Sequence, residues 1–499
     1  VSPAELPVNA AAPLWSWWPW WPWALSALWG VYVLLAGVWI LLQRRAPVAT
    51  LSWLLAMAAM PVAGLVVYYF FGPQRLARQR IKRLRARRSA RVRASVERLH
   101  ARMAPHVQQR VHQVARLVQA SSDFPVSTAT GVQLLVGGAA TLDAIAAAVR
   151  AAQHHIHLEY YIFQPDSTGQ ALRDLLVQRA RAGVQVRLLV DALGSKRLGA
   201  RFLQPLLDAG GEVARFHDTR LGRRLRPVIN FRTHRKIVVC DGRVGFTGGV
   251  NVADAENPRA TAHAYHDVHL RLQGAVVQWL QTVFLEDWAY AQGHTLQDAP
   301  EAALQQELEH LLPEAPAGAT AVQIITSGPD NGLQAIYRAY LAAINTAEQR
   351  VWLATPYFVP TEAALTALTN AALRGVDVQV MVPARSDSAL VTAAARSYFD
   401  ELIRCGVRVH EYATRSMLHA KTLVVDEHIA LVGSANFDCR SFFLNYEVCA
   451  IAYAGALNRE VAAQFQADLR HCQPVHFQRP QPFAQRLFDA AARLCSPLL

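Results

Sequence analysis

The chain has 499 residues, 52% of them hydrophobic and 17% charged, with a formal net charge of +13. That length suits two or three domains with a sizeable buried core. Twelve Arg or Lys and a single acid, Glu97, lie between Arg75 and Arg102, so the rest carries only about +2, which argues against a broad nucleic-acid groove. Six cysteines (Cys240, Cys405, Cys439, Cys449, Cys472 and Cys495) show no Cys-x-x-Cys pair. They exclude a disulfide framework or a zinc cluster and read as free, mostly core thiols.

Two uncharged apolar runs open the chain, at 24–42 and 51–71. Each has the length needed to cross roughly 30 Å of hydrocarbon as a helix, and neither shows a polar face. Trp15, Trp17, Trp18, Trp20, Trp21 and Trp23 precede the first run, while Trp53, Tyr68 and Tyr69 lie near the ends of the second. Such residues favour the headgroup layer. A cleaved signal peptide fits less well, because no Lys or Arg precedes the first run and a second follows at once. The expected arrangement is a membrane hairpin at 1–72, followed by a basic helical segment at 73–125. The basic run places both ends of the hairpin in the cytoplasm, although Arg44 and Arg45 pull weakly the other way. It would also hold anionic lipid, at about 1 kcal/mol per basic residue near the surface.

From Val132 apolar strands alternate with Ala/Leu-rich helices, which predicts an α/β layered fold. Strands are expected at 156–163 and 184–190 with a helix at 169–182 between them. The order recurs as a strand at 351–358, a helix at 361–374 and a strand at 376–382. "RAGVQVRLLV" at 181–190 aligns with "LRGVDVQVMV" at 373–382. The chain therefore carries an internal duplication, with domains at 126–295 and 320–499 and an acidic, Pro-marked linker at 296–319.

The duplication carries chemistry at two segments. The first holds His234, Lys236, Asp241, Gly248, Gly249 and Asn251; the second holds His419, Lys421, Asp426, Gly433, Ser434 and Asn436. In both, Lys follows His by two residues, Asp by seven, Gly by fourteen and Asn by seventeen. Residues two apart on a strand project to one face. Of only four lysines among 46 Arg, two stand in these matched positions. A single histidine in an apolar strand is more often a core residue; two with matched surroundings are not. The set suits phosphoryl transfer without a metal or cofactor. A neutral imidazole attacks phosphorus, Lys and Asn donors hold its oxygens, and a second, protonated imidazole serves the leaving and incoming alcohols.

The paired segments resemble the HxKxxxxD signature of the phospholipase D superfamily. Nearly the whole chain is similar to bacterial cardiolipin synthases of the two-span type. The supporting stretches are "TLSWLLAMAAMPVAGLVVYYFFGPQRL" at 50–76, "IHLEYYIF" at 156–163, "NFRTHRKIVVCDGRVGFTGGVN" at 230–251, "ATPYFVPTE" at 354–362, "LHAKTLVVDEHIALVGSANFDCRSFFLNYEV" at 418–448 and "SPLL" at 496–499. The resemblance implies duplicated mixed sheets flanked by helices around a pseudo-twofold site, with His234 as nucleophile and His419 as acid/base. The residues alone leave those roles exchangeable. It further implies that Glu447 orients His234 and Asp267 orients His419. Gly249 against Ser434 agrees with the resemblance, and Glu159 is either a site residue or a structural one. Where relatives often have Trp-Arg before the acid, this chain has Tyr265-His266.

The expected reaction joins two phosphatidylglycerols into cardiolipin at the bacterial inner membrane, with a cytoplasmic catalytic part and anionic phospholipids as partners. Transfer to ethanolamine, phosphatidylethanolamine or water is the near alternative. A membrane-tethered nuclease and a non-catalytic lipid-binding scaffold are the distant ones.

Overall fold

A computed structural model describes residues 21–42, 47–60, 63–65, 67–68, 109–217, 231–292, 310–453 and 455–499. The chain divides into two units, Val1–Gln74 and Arg75–Leu499. The basic stretch at 75–102 lies outside the described residues, so its expected helix and lipid contacts do too.

In the first unit the helix Trp21–Leu41 matches the first apolar run. It is long and apolar enough to cross a membrane, and few of its residues are buried by protein. The second run is described in part. Residues 63–65 and 67–68 of this run are helical, and the helix Pro47–Ala59 has 13 residues. It ends two residues before Pro61, whose ring disfavours a helical residue ahead of it. Ala36 and Ile40 of the first helix pack with Met57 of the second and with Tyr68. The ring of Tyr68 meets those of Trp39 and Trp53 edge-on, at 5.1 and 5.0 Å.

In the second unit the duplication appears as two sheets of the same strand order. One runs Gly131–Val136, Val268–Gln273, Val244–Gly248, Lys236–Cys240, His155–Tyr160, Gln185–Asp191 and Glu212–Phe216. The other repeats it as Thr320–Ser327, Glu447–Tyr453, Ile429–Gly433, Thr422–Val425, Arg350–Ala354, Asp377–Pro383 and Arg408–Tyr412. This sheet gains Ser127–Ala129 at one edge and Cys472–Pro474 at the other. In each sheet the strand carrying the motif is central and antiparallel to the strand beside it, as in the register Tyr160–Lys236 and Ala354–Thr422. Central strands are buried on both faces, which is why "KIVVC" and "TLVV" are uninterrupted apolar runs. One hydrophobic cluster spans both halves, joining Ile237, Leu270 and Trp279 to Val424, Val448 and Ala450.

The expected domain edge near residue 126 moves. Ser127–Ala129 pairs antiparallel with Thr320–Ser327 of the second sheet. The preceding helix, Gln109–Ser122, packs Val111, Val114 and Val118 into that half's core, with Ile325 and Ile336. The physical reason is its apolar stripe, which a solvated juxtamembrane helix would leave in water. The six cysteines are all unpaired, and three of them, Cys240, Cys439 and Cys449, are buried.

Candidate active site

Each motif strand starts just after its histidine, so the strand order delivers His234 and His419 to the same edge of their respective sheets. Backbone contacts between the halves then bring the two together. His234 N–H donates to Tyr446 O at 2.8 Å, and Tyr446 N–H donates to Arg232 O at 2.7 Å. On the other side His419 N–H donates to His266 O at 2.7 Å, and His266 N–H to Met417 O at 2.8 Å. The imidazoles are held the same way: His234 Nδ1 is 3.0 Å from Glu447 Oε2, and His419 Nδ1 is 2.5 Å from Asp267 Oδ2. Each half therefore supplies the carboxylate that orients the other half's histidine. With Nδ1 holding the proton toward the carboxylate, Nε2 is left for chemistry.

Both lysines are buried and share one field. Lys236 Nζ donates to His234 O at 2.7 Å, and Lys421 Nζ donates to His419 O. Lys421 Nζ is also 3.6 Å from Asp267 Oδ2 and 3.0 Å from His419 Nδ1. An ammonium has no lone pair, and Nδ1 already gives its hydrogen to Asp267, so the carboxylate and the carbonyl are the bonds that bind this lysine. Burial pushes Lys236 down to about 7, and the charge of Lys421 adds to that shift against the pull of Glu447. Burial likewise lowers Lys421. Burial lowers His234 to about 4, although Glu447 opposes the shift. The same burial would raise Glu447 and Asp267, yet both are lowered, Glu447 chiefly by His234 and Asp267 chiefly by Lys421 and His419. The resting site thus holds a neutral His234 beside crowded cationic donors, a state that a phosphodiester anion would relieve.

Asn251 and Asn436 are both buried. The Asn251 side-chain and backbone N–H groups donate to Glu256 Oε1 at 2.9 and 3.2 Å; Asn436 N–H donates to Ser441 Oγ at 3.1 Å. Ser434 Oγ donates to Glu447 Oε2 at 2.5 Å. Gly249 sits against Asp267, with no room for a side chain. Glu159 is buried and accepts a hydrogen bond from Thr233 Oγ1, the residue before His234.

Asp241 and Asp426, also expected among the catalytic residues, lie at the far ends of the motif strands from the histidines. They stand five residues beyond each lysine, about 16 Å along an extended strand. Asp241 accepts from the N–H groups of Gln153, His154 and His155 at 2.8–3.0 Å. Asp426 accepts from Glu348, Gln349 and Arg350 at 2.8–3.0 Å. Both take a positive φ, 55° and 49°. They fasten the turn entering the adjacent strand.

Sequence reasoning missed Glu256, which is buried at 1% exposure. One oxygen each of Glu256 and Asp267 and one ring nitrogen of His419 lie within 4.8 Å of one another. Burial and the charge of Asp267 raise Glu256, against His419. Counted from the matched asparagines, Glu256 stands where the second copy has Ser441, so the repeat gave no signal for it. Two aromatic rings cover the histidines, one of them Tyr265, where this chain departs from the relatives' pattern. Tyr161 meets the His234 ring edge-on at 5.0 Å, and Tyr265 lies over His419 at 5.1 Å. Its neighbour His266 is tied to Asp468 at 2.8 Å and stacks on Tyr412.

Residues 145–288 and 340–469 match the family described as cardiolipin synthase, PLD-like domain, and residues 30–73 match the phospholipase D-nuclease N-terminal family. A cardiolipin synthase of Geobacillus sp. (strain WCH70) is 38% identical over 97% of this chain and 95% of its own. The chain belongs to the cardiolipin synthase family. A second family member, from Alkalihalophilus pseudofirmus, is 37% identical over 95% of this chain and 94% of its own. The phosphatidylserine synthase of Haemophilus influenzae Rd KW20 has a TM-score of 0.59 at 16% identity, covering 78% of this chain and all of that one; it shares the fold. As a cardiolipin synthase, the protein is a phosphatidyltransferase acting on phospholipid at a membrane. The crossed His–carboxylate pairs are the geometry from which that transfer has to be built.

Proposed function

We propose that the enzyme joins two phosphatidylglycerols into cardiolipin and glycerol by two displacements at one phosphorus. Nε2 of His234 attacks the phosphorus of the first lipid. The P–N bond forms as the P–O bond to the glycerol headgroup breaks, and His419 gives its proton to the departing alkoxide. The primary hydroxyl of a second phosphatidylglycerol then returns a proton to His419 as its oxygen displaces His234. Lys236, Lys421 and the two asparagines hold the phosphoryl oxygens throughout.

The observation that supports this reading is the crossed pairing of His234 with Glu447 and of His419 with Asp267. It presents two oriented imidazoles to one place, one to bond phosphorus and one to move a proton. The difference in their surroundings supports the order of roles. Burial lowers His234, which suits the nucleophile, whereas His419 lies beside the two acidic residues Asp267 and Glu256. We place the reaction on the cytoplasmic leaflet of a bacterial inner membrane, with the apolar runs at 24–42 and 51–71 as a hairpin anchor. Chemical quenching of enzyme incubated with phosphatidylglycerol, followed by peptide mass spectrometry, tests the scheme. A phosphatidyl adduct on His234 and release of one glycerol per cardiolipin are expected; phosphatidic acid as the sole product refutes it.

A further inference from the structure

The last long helix, Phe483–Leu494, is inside out. A surface helix normally turns its apolar stripe toward the core and its charges toward water. Here Phe483, Leu487 and Leu494 fall within about 40° of one another around the axis. They point outward, at 78%, 59% and 83% exposure. Phe488 widens this face and is 48% exposed. The inward side carries a charge instead: Asp489 is 5% exposed and is held by Arg396 Nη2 at 2.6 Å and Nε at 3.0 Å. The helix is therefore anchored to the protein by the ion pairs Arg396–Asp489 and Arg493–Glu401 and by small residues, and offers its large side chains to whatever lies outside.

We propose that this helix lies in the headgroup layer of the bilayer as a second membrane contact, separate from the N-terminal span. The proposal rests on the phospholipid-transfer reading above. The exposed residues of the helix include Arg486 and Arg493 and no acid. Arg493 also reaches Glu401 at 3.1 Å; an apolar wedge flanked by arginines is complementary to anionic lipid, as in interfacial helices that bury their apolar side at the acyl boundary. A second copy of the chain would bring the same arginines face to face, which disfavours a self-interface.

The position adds a consequence for catalysis. The short turn after the helix ends at Leu499, whose carbonyl accepts the Arg440 N–H at 2.8 Å. The charge of Arg440 acts on Tyr161, the ring that stands over His234. A helix seated in the headgroup layer would thus hold the His234 side of the site next to the surface from which lipid enters.

The test uses the full chain in vesicles of phosphatidylcholine and phosphatidylglycerol that include a phosphatidylglycerol with a photoreactive acyl chain. After irradiation, adducts are mapped by peptide mass spectrometry, with Trp21–Leu41 as the internal positive control. Adducts on Phe483–Leu494 are expected. They should be lost in the triple variant Phe483→Ser, Leu487→Ser, Leu494→Ser, whose changes are all at exposed positions. That variant should also turn over vesicle-borne lipid more slowly while keeping its rate on short-chain phosphatidylglycerol dispersed in detergent. Adducts on the span with none on the helix overturn the proposal, as do cross-links from the helix to a second copy. Because adduct mapping needs no turnover, failure here is distinguishable from failure of the reaction scheme.

Discussion

Gly249 lies directly against the carboxylate of Asp267: a Cβ at this position would stand 2.1 Å from Oδ1 and 2.3 Å from Oδ2. The matched position in the other half is Ser434, whose hydroxyl donates to Glu447 and is part of that carboxylate's support. The two halves thus solve one problem differently, by close approach on one side and by a hydrogen bond on the other.

The first prediction follows from that asymmetry. Gly249→Ala adds a single methyl yet must push Asp267 aside, loosening its hold on His419. Misplacement of about 1 Å costs about 100-fold in rate, so a loss of that order is expected. Ser434→Gly removes the hydroxyl that donates to Glu447 and accepts the Val448 N–H, and leaves the His234–Glu447 contact in place; about tenfold is expected. Initial rates of cardiolipin formation, with folding checked by thermal melting, compare the two. Equal losses would show that the close approach has no special role.

Asp241 and Asp426 should behave as folding residues. Asp241→Asn and Asp426→Asn each weaken a carboxylate that accepts three backbone N–H bonds, and a loss of about 1–3 kcal/mol of stability is expected. Burial would raise Asp241, but the N–H groups of Gln153, His155 and His154 outweigh it and lower the group. Its folded-state value lies below its unfolded one, so its stabilisation is present above the unfolded carboxylate range and is lost as pH falls through the folded value. Denaturant melts should show the loss while kcat of the folded fraction stays near wild type. A collapse of kcat with stability intact would return these residues to the reaction.

These aspartates show how far the sequence could be read. Spacing alone picked out His234, Lys236, His419 and Lys421, because paired repeats at fixed offsets on strands share a face. The same offsets also swept in Asp241 and Asp426, since a motif read as a string cannot separate the end of a strand that faces substrate from the end that faces a turn. Glu256 went unseen for the opposite reason: its match across the duplication is a serine, so the repeat hid it. The helix Gln109–Ser122 was assigned to the membrane-side segment because its burying partners, Ile325 and Ile336, lie some two hundred residues away.

The two histidines should separate when the leaving group no longer needs a proton. With a phosphatidyl ester of p-nitrophenol, His419→Ala should still release p-nitrophenolate in a burst and trap the phosphatidyl adduct on His234. His234→Ala should give no burst. Glu447→Asn-type shortening is avoided by using Glu447→Gln, which keeps the size and loses the charge. By analogy with other His–carboxylate pairs its burst rate should fall by up to about 10⁴-fold. A burst that survives in His234→Ala would exchange the assigned roles.

Glu256 should matter through Asn251. Both N–H groups of Asn251 donate to Glu256 Oε1. Glu256→Gln retains an acceptor at that point and should stay within a few-fold of wild type. Glu256→Ala leaves a buried amide unsatisfied, at about 1–3 kcal/mol, which corresponds to about 5–150-fold in transition-state affinity if Asn251 drifts. The ranking Gln above Ala in kcat/KM is the expected result; Gln as damaging as Ala would mean that the charge of Glu256, and not its grip on Asn251, is what the site uses.

Lys236 sets the last prediction, on pH. In the free enzyme it is pushed down to about 7, first by burial and then, against Glu447, by Lys421. A bound phosphodiester anion favours the ammonium, so the pKa must rise on binding and the complex must take up a proton above pH 7. The sign is fixed: affinity should be flat below about 7 and weaken toward tenfold per pH unit above it, until the substrate-bound value is reached. Isothermal titration of a non-transferable phosphatidylglycerol analogue, in buffers of different ionisation heat, measures the proton uptake directly. Lys236→Arg removes this titration, because a guanidinium stays charged, and should flatten the profile even where its different shape lowers the absolute affinity. Proton uptake that is unchanged in Lys236→Arg would place the titrating group elsewhere, with Lys421 next to be replaced.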